Sequence, residues 1–276
     1  MPELPEVETM CRGVRPVVGA IIERVIDPRC TYRPIVCTPS LAVLQRRLRG
    51  QTITGVSRLG KRVVIETQRW ALVLQPKMTG LVTIESPPGP EHVRLILKLA
   101  GVSVPEIFFW DRRGLGTVLL LARDQIESQL VTGKLGKDAL EITPDEFAQR
   151  LLATRRPIKV ALLDQKIVAG IGNLYASEML YAAAIDPKRS AAEIRAVEYR
   201  RLFVQMQRIL KEAIDHEGST LSDGTYRNAL NQAGNYQNMH RVYDRAGQPC
   251  PRCRKAVILR IVQAQRSTFY CIRCQR

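Results

Sequence analysis

Along the first half of the chain, apolar positions alternate with polar ones or gather in short runs. Residues 53–59, 62–67, 71–75, 93–99, 102–109 and 117–122 follow this pattern and read as β-strands. Turn-rich pieces divide them, among them Leu59-Gly60-Lys61 and Ser86-Pro87-Pro88-Gly89-Pro90. Residues 41–48 have helical spacing instead. The pattern predicts a β-rich domain over residues 2–128, a β-sandwich with one or two flanking helices.

Residues 129–142 hold two glycines and mixed charge and read as a linker. The period then becomes helical. Thr143-Pro144-Asp145-Glu146 is a capping box with Pro at the first helical position, and the helix it opens runs to about residue 153. Further helices are predicted at 157–163 and 174–183, with a long one inside 191–216. Gly170-Ile171-Gly172-Asn173 makes a tight turn into the helix at 174–183. Near the C-terminus, 257–262 and 266–270 read as a β-hairpin. The class is therefore α+β, with domains at 2–128, 143–240 and 241–276.

Charge changes the picture. Forty-two Lys and Arg against 26 Asp and Glu give +16, an excess that points to a polyanionic partner, nucleic acid first. No apolar run approaches the ~20 residues that span a bilayer, and the N-terminus lacks the pattern of a signal peptide. A cytoplasmic protein with no membrane partner is expected.

Four of the seven cysteines form Cys250-Pro251-Arg252-Cys253 and Cys271-Ile272-Arg273-Cys274, with 17 residues between the pairs. Paired knuckles at this spacing predict one tetrahedral zinc held by four thiolates, a closed structural site. The hairpin between them would present Arg266 to a phosphate or a groove. Cys11, Cys30 and Cys37 read as free thiols without a role.

Candidate chemistry gathers at the start, Met1-Pro2-Glu3-Leu4-Pro5-Glu6-Val7-Glu8-Thr9. Removal of Met1 would leave Pro2 with a free secondary amine, whose ordinary pKa of about 8 keeps part of it neutral and nucleophilic. Glu3 and Glu6 are candidate proton carriers beside it. If Pro5 opens a helix at its first position, Glu6 and Glu8 fall in the first turn. Gly170 to Asn173 would also turn backbone N–H groups toward a phosphate.

The N-terminal string resembles that of the formamidopyrimidine-DNA glycosylase family, and four further motifs follow in that family's order. The resemblance implies an N-terminal proline nucleophile at Pro2, with Glu3 and Glu6 assisting, and a phosphate-contacting Lys61 on the turn between two strands. It implies a helix–two-turn–helix domain in which Lys159 and Asn173 hold the DNA backbone. Met78, Arg113 and Leu115 would fill the gap left by an extruded base, and His92, Tyr243 and Arg266 would contact DNA. Leu115 stands where the family usually has Phe, Gly114 replaces a second Arg, and Gln75 takes the place of a common His. A finger spacing of 17 rather than 16 residues would be absorbed by a one-residue bulge in the hairpin.

The function so implied is a bifunctional DNA glycosylase and AP lyase that removes oxidised purines. Duplex DNA would lie across a cleft between the domains, its damaged base swung into a loop at Ser222–His240 that holds Tyr226, Asn228 and Tyr236. The protein would be a nucleoid-associated monomer with zinc and no redox or nucleotide cofactor. Two alternatives remain at this point. One is an endonuclease VIII-like enzyme for oxidised pyrimidines, which Leu4 and Val7 disfavour. The other is a catalytically silent zinc-ribbon DNA-binding protein.

Overall fold

The computed structural model describes residues 2–28, 30–221 and 224–276. The expectations for Met1 and Ser222 lie outside these. The chain clusters into two compact units: one runs through Thr132 and adds Ile214–Gln237, the other joins Gly133–Ala213 to Asn238–Arg276.

The first unit is a two-sheet sandwich. Helix α1 (Leu4–Val14) is followed by β1 (Ile21–Ile26), β2 (Val36–Thr38), α2 (Leu41–Leu48), β3 (Ile53–Leu59), β4 (Arg62–Thr67) and β5 (Trp70–Gln75). Then come β6 (Gly80–Thr83), β7 (Val93–Ala100), β8 (Glu106–Asp111) and β9 (Thr117–Ala122). One sheet has the order β1-β7-β8-β6, the other β2-β9-β5-β4-β3. Alternate residues of both sheets meet in one core: Ile22, Leu81, Leu95, Leu97 and Phe109 from the first, Ile53, Val63, Ile65, Leu72 and Leu120 from the second. Val7, Met10, Cys11 and Val14 of α1 enter the same core, where α1 packs against β3, β4 and β6.

The β-sandwich matches the pattern, and three strands went unpredicted. In β1 the register shifts between Ile22 and Arg24, so the buried residues Ile22 and Val25 stand three apart and the two-residue period is lost. The three residues of β2 are too few for a period. All four residues of β6 are buried, which leaves no alternation to read. Strand β8 begins at Glu106, later than residue 102, and ends at Asp111.

The second unit contains β10 (Lys137–Asp138), α3 (Pro144–Leu152), α4 (Ile158–Leu163), β11 (Val168–Ala169), α5 (Asn173–Ala182) and most of α6 (Ala196–Asp215). It closes with the hairpin β12 (Leu259–Gln263) and β13 (Arg266–Tyr270). The expected cap is present: Thr143 Oγ1 accepts from the Glu146 N–H at 3.3 Å, and Glu146 Oε2 accepts from the Thr143 N–H at 3.0 Å. The linker is less plain than expected, since β10 pairs in parallel with β11. Among the described residues no helix is long and apolar enough to cross a membrane.

The grouping differs from the predicted division at Ile214–Gln237. Expected to belong with the helices, this segment packs instead on the first unit. Tyr226 and Ala229 are buried in the sandwich core, and a Cβ on Gly13 of α1 would stand 2.4 Å from that of Ala229.

Candidate active site

Pro2 is buried, and Glu3 and Glu6 are each 3% exposed. Helix α1 starts one residue earlier than expected: Glu3 is the N-cap and Glu6 the third helical residue, so Pro5 stands second. Only Glu6 is acidic in the first turn. Its Oε2 turns back to accept from the Glu3 N–H at 2.8 Å. Its Oε1 accepts from the N–H of Ser219, 213 residues away in sequence, at 2.9 Å. A carboxylate at a helix N-terminus with two backbone donors is held firmly despite burial.

The segment that supplies Ser219 is built around a glycine. Gly218 has φ +79°, and a Cβ there would lie 2.9 Å from Glu6 Cγ, 3.0 Å from Glu6 Oε1 and 3.1 Å from Tyr226 Cε1. The Tyr226 hydroxyl donates to the Glu217 carbonyl at 3.0 Å. Burial, then the Glu6 charge, push this phenol well above its usual pKa, so it stays a donor. The Tyr236 N–H donates to the Gly218 carbonyl at 3.0 Å, and Thr220 Oγ1 donates to the Tyr226 carbonyl at 2.8 Å. These bonds set the described residues of 217–221 and 224–237 as a wall beside α1.

Lys61 follows Gly60, whose φ of +58° lets a two-residue turn join β3 to β4. Arg58 on β3 ties this turn to α1. Its Nε donates to Glu8 Oε2 at 3.0 Å and its Nη1 to the Gly60 carbonyl at 3.1 Å. Burial alone would raise the Glu8 carboxyl, but Arg58 and Arg12 outweigh it and hold the pKa below the usual value.

Two loops carrying Met78 and Arg113 are braced by one buried side chain. Asp111, fully buried, accepts from Thr79 Oγ1 at 2.5 Å, from the Arg113 N–H at 3.2 Å and from the Gly116 N–H at 2.7 Å. Met78 and Arg113 are exposed and Leu115 is half-buried. Gly114 has a structural reason here: its φ is +60°, and a Cβ would come 2.3 Å from the Arg33 carbonyl oxygen. His92 sits between rings, 4.7 Å from Tyr32 and 5.5 Å from Trp110, with Nδ1 buried and unpartnered. No role follows for Thr79 or Asp111 from the sequence, because the bond between them joins positions 32 apart.

In the second unit the structure joins three predicted features. Lys159 on α4 is fully buried. Its ammonium donates to Asn173 Oδ1 at 2.8 Å, to the Ser267 carbonyl at 2.8 Å and to Thr268 Oγ1 at 2.7 Å. It therefore couples the α5 turn to the strand that begins with Arg266. Glu178 on α5, to which no role was given, accepts the N–H groups of Arg241, Val242 and Tyr243 at 2.8–2.9 Å and positions Tyr243. Burial raises this carboxyl, although the three donors pull it down.

The four knuckle thiols lie within 4.8 Å of one another, with Cys250–Cys274 at 3.7 Å and Cys253–Cys271 at 3.8 Å. Thiolates about 2.3 Å from a tetrahedral zinc have edges of about 3.8 Å, so the set fits the ion. The anticipated bulge is absent. Strands β12 and β13 pair in unbroken register, and the turn between them is Ala264-Gln265, both at positive φ. Arg266 follows it, exposed.

Comparison with known proteins covers the whole chain. Residues 1–118 match the formamidopyrimidine-DNA glycosylase N-terminal domain, 135–225 the formamidopyrimidine-DNA glycosylase H2TH domain, and 247–276 the zinc finger found in FPG and IleRS. The formamidopyrimidine-DNA glycosylase of Azorhizobium caulinodans is 38% identical over 301 residues, with 100% of each chain covered. That of Moorella thermoacetica is 38% identical over 259 residues, 92% of each. The fold superposes on the Lactococcus lactis Fpg in complex with Fapy-dG-containing DNA with a TM-score of 0.85, at 31% identity over 99% of this chain and 100% of that one. The MutM (Fpg) protein of Thermus thermophilus gives 0.86 at 35% identity, covering 99% of this chain and 98% of that one.

Proposed function

We infer the reaction from one premise: this chain belongs to the formamidopyrimidine-DNA glycosylase family. It is a DNA glycosylase and AP lyase of base excision repair, acting on DNA with an oxidised purine or an abasic site. It carries one structural zinc. Zinc would cross-link the two knuckles and hold the hairpin; no chemical step needs it.

Pro2 is our nucleophile. Its nitrogen attacks C1′ of the damaged nucleotide, the glycosidic bond breaks, and the base leaves with a proton. Glu3 moves that proton. The iminium formed at C1′ acidifies the neighbouring C2′ proton. Removal of that proton expels the 3′ phosphate, and a second elimination expels the 5′ phosphate. Glu6, fixed by the Glu3 and Ser219 N–H groups, supports the sugar or the base.

Basic side chains, Lys61 and Arg266 among them, neutralise phosphates. Met78, Arg113 and Leu115 fill the space from which the base has turned. Lys159 acts on the backbone contact through Asn173. We take 2–128, 143–240 and 241–276 as the catalytic, helix–two-turn–helix and zinc-finger portions, with the 214–237 segment serving the catalytic one. The enzyme works as a cytoplasmic, nucleoid-bound monomer.

The observation that carries this reading is the burial of Pro2, whose amine removal of Met1 would free, together with the buried carboxylates Glu3 and Glu6 at a capped helix start. Borohydride trapping on a lesion duplex tests it. A covalent adduct should form and map to residue 2, and retention of Met1 should abolish both adduct and incision. Glu3→Gln should lose base removal yet still cut preformed abasic sites. An adduct on Lys61, or normal cutting with Met1 retained, refutes the assignment.

A further inference from the structure

The first unit has a cavity of about 470 Å3, lined among others by Asp27, Cys30, Thr31, Cys37 and Arg94. Arg94 on β7 is only 4% exposed. Its Nε donates to the Asp111 carbonyl at 2.8 Å, its Nη1 contacts Cys30 Sγ, and its Nη2 is buried without a partner. No carboxylate pairs with it among the described residues. A guanidinium withdrawn from water with an unused donor is costly unless an acceptor or anion completes it. The sulfur of Cys30 is already at one arm of the fork. Its thiol donates to the Glu91 carbonyl at 3.1 Å, and the residue is half-buried on the cavity wall.

We propose that Cys30 is an oxidation site, converted by hydrogen peroxide to a sulfenic acid whose new oxygen accepts from Arg94 Nη2. The sulfur forms a bond to one peroxide oxygen as the O–O bond breaks. Sulfur is oxidised by two electrons and the peroxide reduced by two. The second oxygen leaves as hydroxide and takes the thiol proton, giving water. The product occupies both arms of the fork, Nη1 on sulfur and Nη2 on oxygen, in the planar geometry that guanidinium offers a two-atom acceptor.

The other free thiols lack this setting. Cys11 is buried in the core and donates to the Ser57 carbonyl, and burial pushes its pKa up to about 12. Cys37 lines the same cavity with its pKa pushed up to about 11 by burial and then by Asp27. Thiols so raised react slowly with peroxides.

The experiment treats the zinc-loaded, full-length enzyme with hydrogen peroxide in the presence of dimedone and quantifies each cysteine peptide by mass spectrometry. Cys30 should be labelled about tenfold faster than Cys37 or Cys11, in line with its acceptor-poor guanidinium neighbour. Arg94→Lys keeps a charge but lacks the second arm, and should slow Cys30 labelling severalfold while leaving Cys37 unchanged. Equal labelling of Cys30 and Cys37 in the unaltered enzyme overturns the proposal whether or not the variant folds. Undiminished Cys30 labelling in folded Arg94→Lys overturns the role of Nη2.

Discussion

Gly218→Ala tests whether the Glu6 carboxylate is set by the loop that faces it. The backbone at φ +79° would cost an L-residue about 1–2 kcal/mol. The added Cβ would also lie within 3.1 Å of Glu6 Cγ, Glu6 Oε1 and Tyr226 Cε1. Tyr226 is 4% exposed in the core and has nowhere to go. Retreat on the other side is blocked as well, because the Gly218 carbonyl is held by the Tyr236 N–H and backed by Gly234. The clash is relieved most cheaply by loss of the 2.9 Å bond from the Ser219 N–H to Glu6. A bond to a charged acceptor contributes about 1.5–3 kcal/mol, which brings the total to roughly 3–5 kcal/mol. In a unit of this size that lowers the melting midpoint by about 10 °C.

If the lost bond also serves base expulsion, its energy corresponds to a roughly 10- to 100-fold slower single-turnover incision of a formamidopyrimidine duplex. A duplex with a preformed abasic site should be cut nearly normally. An unchanged melting midpoint would refute the steric reasoning. A lowered midpoint with lesion incision within about twofold of the parent would mean that Glu6 takes no part in base removal.

Three other outcomes are expected. Lys159→Met leaves Asn173 Oδ1, the Ser267 carbonyl and Thr268 Oγ1 without their shared donor; it should lower stability by about 2–4 kcal/mol in denaturant titration and weaken DNA binding, the two falling together. Metal analysis should find one zinc per chain, and a Cys250→Ser, Cys253→Ser protein should lose zinc and DNA binding while the sandwich stays folded by thermal melting; full incision by that protein would contradict a finger needed for binding. Burial, then Arg245, lower the His240 pKa from 6.5 to about 4. The unfolded chain therefore binds the proton first, and stability present above pH 6.5 declines as pH falls toward about 4, by up to roughly 3 kcal/mol; His240→Gln should flatten this slope between pH 5 and 6.5 in denaturant titrations.

Features whose partners lie within a few residues were legible in the sequence. Thr143 and Glu146 cap one another across a single helical turn. The two Cys pairs carry their own spacing, and the thiols converge as that spacing demands. Strands β7 and β9 keep the two-residue period, burying Leu95, Leu97 and Leu99 in the one and Val118 and Leu120 in the other. Where the backbone departs from regular pairing the period fails, as at the bulge in β1.

Tertiary structure alone decided the settings of the functional groups. Glu6 could be named from its position beside Pro2, but only folding brings Ser219 to it. Lys159 could be named as a cation near Asn173, but its burial under the finger strand depends on contacts more than 100 residues away. Gly114 reads as a missing Arg until Arg33 is seen against it. Arg94 shows no role in sequence; burial, and the thiol across from it, give it one. Local chemistry depends on a few torsions and neighbouring side chains, which the order of residues specifies. Burial, long-range hydrogen bonds and close approach arise only when distant segments share one core.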